Sequence, residues 1–441
     1  MTSPDLTRRR FLQSMAAAGG ALTLGGGDRL WAVPAATGTP LPQSGGTQSL
    51  VVLFLRGGAD VLNMVVPYGD QHFEAWRPTL SSTLADGLLK IDDTWALHPA
   101  LSPLRREFDA GMFAPIVCSG SNHATRSHFD AQDWMEFAAP GDRSVREGWV
   151  NRYLAATATE GASEFRALGL QQLLPRSFRG QYPVLAVPRN VGRRRSGKTL
   201  DRFEDFYGDG TMLEGGDMMM GPREDDAAGV VDSGRVTIET LRRFQQIVAA
   251  GERESRIREE SAGAGTVTVA GATYPEGRFG QSLRTLSVVL KADEGVQVAG
   301  IDYGGWDDHA QEGAIEGRMA DRMGDLASGL SAFAADLGPR MAHTTVLVMS
   351  EFGRTVRENG NNGTDHGHGT TMFVLGGGVK GGKVHGDWRG LATDALYQGR
   401  DLPVTTDFRD VFHTVLANGL GFESPKEFFP GYRPAEVKGL Y

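Results

Sequence analysis

The sequence predicts an α/β fold in which a mostly parallel sheet is sandwiched between helices, and three observations lead there. Five short apolar runs have the composition of strands buried on both faces. A stretch with apolar residues at spacings of three and four separates the third run from the fourth and reads as an amphipathic helix. Strand-helix alternation of this kind argues for a mostly parallel sheet with helices laid against it.

The runs are "SLVVLFLRGG" (49–58), "FAPIVCSGS" (113–121), "VQVAGIDYGG" (296–305), "TTVLVMSEFG" (344–353) and "TTMFVLGGG" (370–378). None alternates apolar with polar, so none reads as a strand with one wet face. The clearest helix covers 316–337, where Met319, Met323, Leu326, Leu330, Phe333 and Leu337 share a stripe. The segment 190–275 breaks the order and closes with one charged helix at about 234–260. We read it as an inserted cap on a single domain covering 49–441. Within it, Arg193 to Arg195 and Glu224-Asp225-Asp226 read as solvated surface, and Met218 to Met220 as a loop anchored on the core.

With 40% hydrophobic and 22% charged residues, the 441-residue chain has a soluble balance and material for a large core. A formal net charge of −9 argues against a nucleic-acid partner. Cys118 is the only cysteine, so no internal disulfide forms, and its apolar setting reads as core. At the N-terminus, Thr7-Arg8-Arg9-Arg10-Phe11-Leu12 precedes a weakly apolar stretch and small residues around 32–36, the order of an export signal. It resembles a twin-arginine signal over residues 1–36, followed by a linker over 37–48. No segment is long and apolar enough for a transmembrane span. The expectation is a soluble protein handed to the twin-arginine export machinery and released to the periplasm or beyond. That route, as the resemblance implies, carries folded proteins, often with a cofactor already loaded.

In open parallel sheets, ligands bind outside the carboxyl ends of the strands, and polar residues cluster at those ends here. The first run leads to Arg56, Asp60 and Asn63; the second to Ser119, Ser121, His123, Thr125, Ser127 and His128. The third leads to Asp302, Asp307, Asp308 and His309, and the fourth to Ser350, Glu351 and Arg354. Before the fifth stands "GTDHGHG", with Asp365, His366 and His368. Carboxylates and imidazoles without thiolates suit zinc, manganese or another divalent ion such as calcium. Asp307, His309, Glu351 and His366 are the candidate ligands, with His368 competing for the role of His366. Asp60 is either a further ligand or an orienting carboxylate. Ser127 opens a predicted helix, as a nucleophile or as an N-cap partnered by Asp130. Arg56 and Arg126 are candidate catalytic groups that would neutralise phosphate or sulfate oxygens.

"LVVLFLRGGADVLNMVVPYGD", "TRSHFDAQDWME", "GGWDDHAQ", the long stretch from "VLVMSEFGRT" to "HGDWRGL", and "TTDFRDVFHTVL" together resemble the exported bacterial DUF1501 family. The likeness covers nearly all of the chain after its leader. It implies a distant relationship to the alkaline phosphatase and sulfatase superfamily, hence a three-layer α/β/α sandwich, alkaline-phosphatase-like, with metal at the strand ends. By that likeness Asp307 and His309 resemble a ligand pair, Ser127 the nucleophile and His366 the late histidine ligand.

Two departures stand out. Ser350-Glu351-Phe352-Gly353 occupies the place of a Ser-Asp-His-Gly turn, and the first strand ends in Arg56-Gly57-Gly58-Ala59 rather than in a metal-binding aspartate. A single ion, or none, therefore fits better than two. The Cys/Ser-x-Pro-x-Arg motif of sulfatases proper is missing. The expected function is an exported metal-dependent hydrolase of phosphate or sulfate esters, acting on a small molecule or polymer that carries an anionic group. The alternative is a non-catalytic binding or assembly protein on a degenerate phosphatase-like scaffold.

Overall fold

The computed structural model describes residues 21–24, 28–31, 46–171, 173–187, 224–261 and 273–441, with side chains in the 224–261 helix described from 236 to 254. Most of the expected export signal and linker, Arg193 to Arg195, Met218 to Met220 and the side chains of Glu224 to Asp226 lie outside the described residues. Within the leader, Ala21–Leu24 and Asp28–Trp31 pair as a short antiparallel ribbon.

Among the described residues, eight strands form the central sheet. In chain order they are β1 (Ser49–Arg56), β2 (Phe113–Gly120), β3 (Ala167–Gly169), β4 (Leu185–Ala186), β5 (Val298–Gly304), β6 (Thr344–Met349), β7 (Thr370–Gly376) and β8 (Thr406–Asp407). Across the sheet they run β8-β2-β7-β6-β1-β5-β3-β4. Every pairing is parallel except those of β7 with β6 and with β2. The sheet is therefore mostly parallel, and the five apolar runs supply its five longest strands. Residues 49–55 and the whole of β2, β6 and β7 are buried. Successive side chains of a strand point to opposite faces, so continuous burial means that both faces are covered. The three short strands escape sequence reading because two or three residues carry no measurable period.

Among the described residues, six longer helices accompany the sheet: α1 (His128–Phe137), α2 (Trp149–Ala156), α3 (Glu224–Ser261), α4 (Arg278–Lys291), α5 (Arg318–Leu337) and α6 (Phe408–Leu420). All six stripe residues predicted for α5 are buried, packing against α4 and the 3-10 helix Pro99–Leu104. Each such leucine or phenylalanine stabilises the fold by about 2 kcal/mol. Helix α6 lies against β1 and β6; Asp407 caps its start by accepting from Arg409 N–H, and Gly421 ends it at φ 66°. Helix α3, inside the expected cap, buries Ile238, Leu241, Phe244 and Val248 in the main core. Phe244 meets Phe165 at 6.1 Å between ring centres. This part of the segment is thus packed onto the body of the domain. Among the described residues no helix is long and apolar enough to cross a membrane.

The reversed direction of β7 positions the site. A loop entering a reversed strand emerges at the edge where its parallel neighbours end. Thr370, the first residue of β7, pairs with Ser119 near the end of β2, and Ser119 also pairs with Thr406 of β8. Farther back, Gly353 N–H donates to His368 O and Gly367 N–H to Gly353 O. "GTDHGHG" therefore lies beside the loops that follow β2, β5 and β6.

Candidate metal centre

Three of those loops deliver ligand-capable atoms to one point. His128 comes from the first turn of α1 after β2, Asp307 from the loop after β5, and His366 from the loop before β7. Among the described residues, one ligand atom from each of these three lies within 4.8 Å of the other two. His366 Nε2 and His128 Nε2 stand 3.3 and 3.4 Å from Asp307 Oδ1. Ligand atoms around a four-coordinate ion with bonds of about 2.1 Å stand about 3.4 Å apart. His309 reaches two of the three, its Nε2 lying 2.9 Å from Asp307 Oδ1 and 2.9 Å from His366 Nε2.

The far sides of the two imidazoles decide which nitrogen carries hydrogen. His366 Nδ1 lies 2.8 Å from the carbonyl oxygen of Arg126, which can only accept, so Nδ1 donates and the neutral ring turns an Nε2 lone pair inward. His128 Nδ1 lies 2.8 Å from Glu351 Oε1, and its buried Nε2 has no hydrogen-bond partner. Histidine ligands of metals are held this way, by a carboxylate or carbonyl on the outer nitrogen. Glu351 is itself fixed, since Oε1 also accepts from Gly57 N–H at 2.9 Å and Gln132 Nε2 at 2.8 Å, and Oε2 from Ser350 Oγ at 3.2 Å.

Electrostatics follow from these neighbours. The hydrogen bond to Glu351 raises His128 above the ordinary imidazole range, against a smaller opposing effect of burial. Burial lowers His366. For Asp307, burial pushes upward, but the Arg354 guanidinium and nearby imidazoles outweigh it and hold the carboxyl at about 2. Arg354 is buried and donates Nη2 to Asp307 Oδ1 at 2.6 Å. Nη2 also donates to the carbonyls of Gly57 and Trp306, Nε to that of Gly58 and Nη1 to that of Thr364, tying the loops after β1 and β5 to the loop before β7. Gly57 and Gly58 allow that approach: both have positive φ, and a Cβ would meet Asp307 N at 2.7 Å and the Phe352 ring at 2.6 Å respectively.

The sequence matches one described family, "Protein of unknown function (DUF1501)", over residues 47–427. The chain belongs to the DUF1501 family. No curated protein matches it. The DUF1501 description names no activity, so the chemistry rests on the side chains.

Of the ligands expected for this DUF1501 protein, Asp307, His309 and His366 come together. Glu351 stands one layer out, behind His128. Asp60 is not brought to the point: it is buried in a two-pronged pair with Arg77, which is itself fully buried. His368 turns away and stacks on Tyr397 at 4.0 Å, where burial lowers it to about 4. Arg56 is held by Glu136 at 2.7 Å and Asp302 at 3.0 Å, with its guanidinium over the Phe54 ring. Arg126 pairs with Asp401 at 2.7 Å. Ser127 occupies the N-cap position of α1, is exposed, and makes no side-chain capping bond; Asp130 pairs with Arg143 instead. Phe352 is buried as an apolar wall, 4.8 Å from the His128 ring and 5.0 Å from the His366 ring.

Sequence reasoning places His128 in the second burst without choosing it as a ligand, and does the same with Arg354 in the fourth. The available signal for His128 is its place in the first turn of a helix that starts at the ligand-binding edge. Which way that turn faces is not written in "TRSHFDAQ".

Proposed function

We propose that this DUF1501 protein is an exported metal-dependent hydrolase of phosphate or sulfate esters, on an alkaline-phosphatase-like α/β/α scaffold. The observation that carries the reading is the arrangement of His128 and His366. Each outer nitrogen meets a fixed acceptor, and each inner nitrogen faces Asp307. Two imidazoles and one carboxylate fit zinc or manganese better than calcium, which prefers six to eight oxygen ligands. When bound, such an ion supplies Lewis acidity toward an ester oxygen.

The chain's own groups fill the remaining roles. His128, Asp307 and His366 hold the ion, Glu351 orients His128, and Arg354 adds a fixed positive charge. His309 stands at the rim. Ser127, exposed and next to His128 in the chain at the start of α1, would attack the ester or bind its anion. The leader supports export through the twin-arginine route.

The test is a screen of phosphate mono- and diesters and sulfate esters against zinc- and manganese-loaded protein, beside His366→Ala. Turnover that the substitution abolishes supports the reading; no turnover of any ester with either metal sinks it. One observation favours a second reading, a binding protein with one structural ion: Phe352, an apolar ring against His128 and His366, occupies the place where the superfamily likeness expects a histidine ligand. Tight metal without turnover would select it.

A further inference from the structure

We propose that Arg400 and Arg126 form a subsite for a second anionic group of the substrate, beside the metal centre. The inference rests on the ester-hydrolase reading for its substrate class and on different residues for its evidence. Residues 397–401 make a tight turn in which Tyr397 and Asp401 exchange backbone hydrogen bonds at 2.8 and 3.1 Å. Gln398 and Gly399 take the left-handed conformation at its tip, with φ 55° and 64°. The turn brings Arg400 next to Arg126.

Two guanidinium groups then share one carboxylate. Asp401, fully buried, accepts from Arg126 Nη2 at 2.7 Å and from Arg400 Nη1 at 3.4 Å, both through Oδ2, while Oδ1 makes no hydrogen bond. Arg126 Nη2 also donates to Gln398 Oε1 at 3.0 Å. Among the described residues one positive charge is left over. The arginine side chains remain 33% and 39% exposed, so solvent-borne ligands reach them. Arg126 Nε is buried and has no partner. That buried nitrogen is closed to solvent, so it is the exposed parts of the two guanidinium groups that face an incoming anion.

Both arginines touch His366. The Arg126 carbonyl accepts from His366 Nδ1 at 2.8 Å, and Arg400 Nη2 donates to the His366 carbonyl at 3.1 Å. The surplus charge therefore lies one residue from a metal ligand, where it meets a group attached to the ester rather than the ester itself. A simple brace for His366 would not need the second guanidinium on Asp401. The ligand class that fits is an ester bearing a second carboxylate, sulfate or phosphate close to the scissile bond.

Two aryl phosphates that differ only by a ring carboxylate, given to metal-loaded protein, test the subsite. The wild type is expected to favour the carboxylated ester roughly tenfold in kcat/KM, chiefly through KM. Arg400→Gln is expected to erase that ratio, and Arg400→Lys to keep part of it. The same ratio in wild type and Arg400→Gln overturns the subsite. Titration of metal-free protein with inorganic sulfate at low salt needs no turnover, and Arg400→Gln is expected to lose roughly tenfold in affinity. Unchanged sulfate binding overturns the subsite. Weakened sulfate binding with neither ester hydrolysed leaves the subsite standing and removes the hydrolase.

Discussion

His128 Nδ1 stands 2.8 Å from Glu351 Oε1, and the Nε2 of the same ring is buried without a hydrogen-bond partner, facing Asp307. Buried polar atoms in folded proteins are almost always satisfied, so this unpartnered nitrogen supports the proposed ion site. Glu351 fixes which nitrogen it is. The ring is thus prepared before any ligand arrives, and the proposed chemistry depends on that preparation.

Glu351→Gln keeps the size of the side chain and removes the charge that holds the His128 Nδ1 hydrogen. Metal affinity is expected to fall roughly ten- to hundredfold, as for other carboxylates behind a histidine ligand. Competition against a chelating dye measures it, with circular dichroism to show that the fold persists. An unchanged dissociation constant would mean that Glu351 does not orient the ligand.

His128 is raised by its bond to Glu351, so in metal-free protein it holds its proton to a higher pH than a free imidazole. A metal must displace that proton. Affinity is therefore expected to weaken as pH falls through the raised value, with proton release on binding. Calorimetry in two buffers of different ionisation enthalpy reads the released proton directly. Identical heats in both buffers would contradict the assignment of His128.

Asp60 and Arg77 form a buried pair away from the triad. Removing one partner leaves an uncompensated charge, so Asp60→Ala is expected to cost about 3–5 kcal/mol in denaturant unfolding. Metal affinity is expected to stay unchanged in the folded variant. A selective loss of metal, with stability intact, would make Asp60 a ligand.

Glu312 is fully buried, accepts from Thr364 Oγ1 at 2.9 Å, and has an Oε1 without a partner. Burial first, and the nearby Asp60 carboxylate next, push its carboxyl well above the usual range. The folded chain therefore keeps a proton that the unfolded chain releases. The stability linked to that proton is fully present below the ordinary carboxylate range and is lost as pH rises toward the folded value. Glu312→Gln is expected to flatten this fall in a pH series of urea melts. A variant with the same slope as wild type would show that another group is responsible.

Burial explains which parts of the molecule were legible in sequence. Strands covered on both faces must be continuously apolar, so β1, β2, β6, β7 and the buried first half of β5 stand out, and the stripe of α5 does so because its one buried face must be apolar. Direction is another matter: an apolar run reads the same either way, so the reversal of β7 had to come from the structure. That reversal is why a loop before a strand joins loops that follow strands. Within it, "HGH" offers two equivalent imidazoles. The backbone turns His366 toward Asp307 and His368 onto Tyr397. Residue type alone likewise makes Glu351 a candidate ligand, but the donors surrounding its Oε1 come from Gly57, His128 and Gln132, far apart in the chain.

Equilibrium titration of the stripped, purified chain with zinc and with manganese tests the central claim most directly, using wild type, His128→Ala and His366→Ala. The account predicts a single tight equivalent for wild type with at least one of the two metals. Each variant is predicted to lose roughly a hundredfold or more in affinity while keeping its fold, because removing a direct ligand costs at least as much as removing a group behind it. A wild type that takes up neither ion, or histidine variants that bind as tightly as wild type, would contradict it.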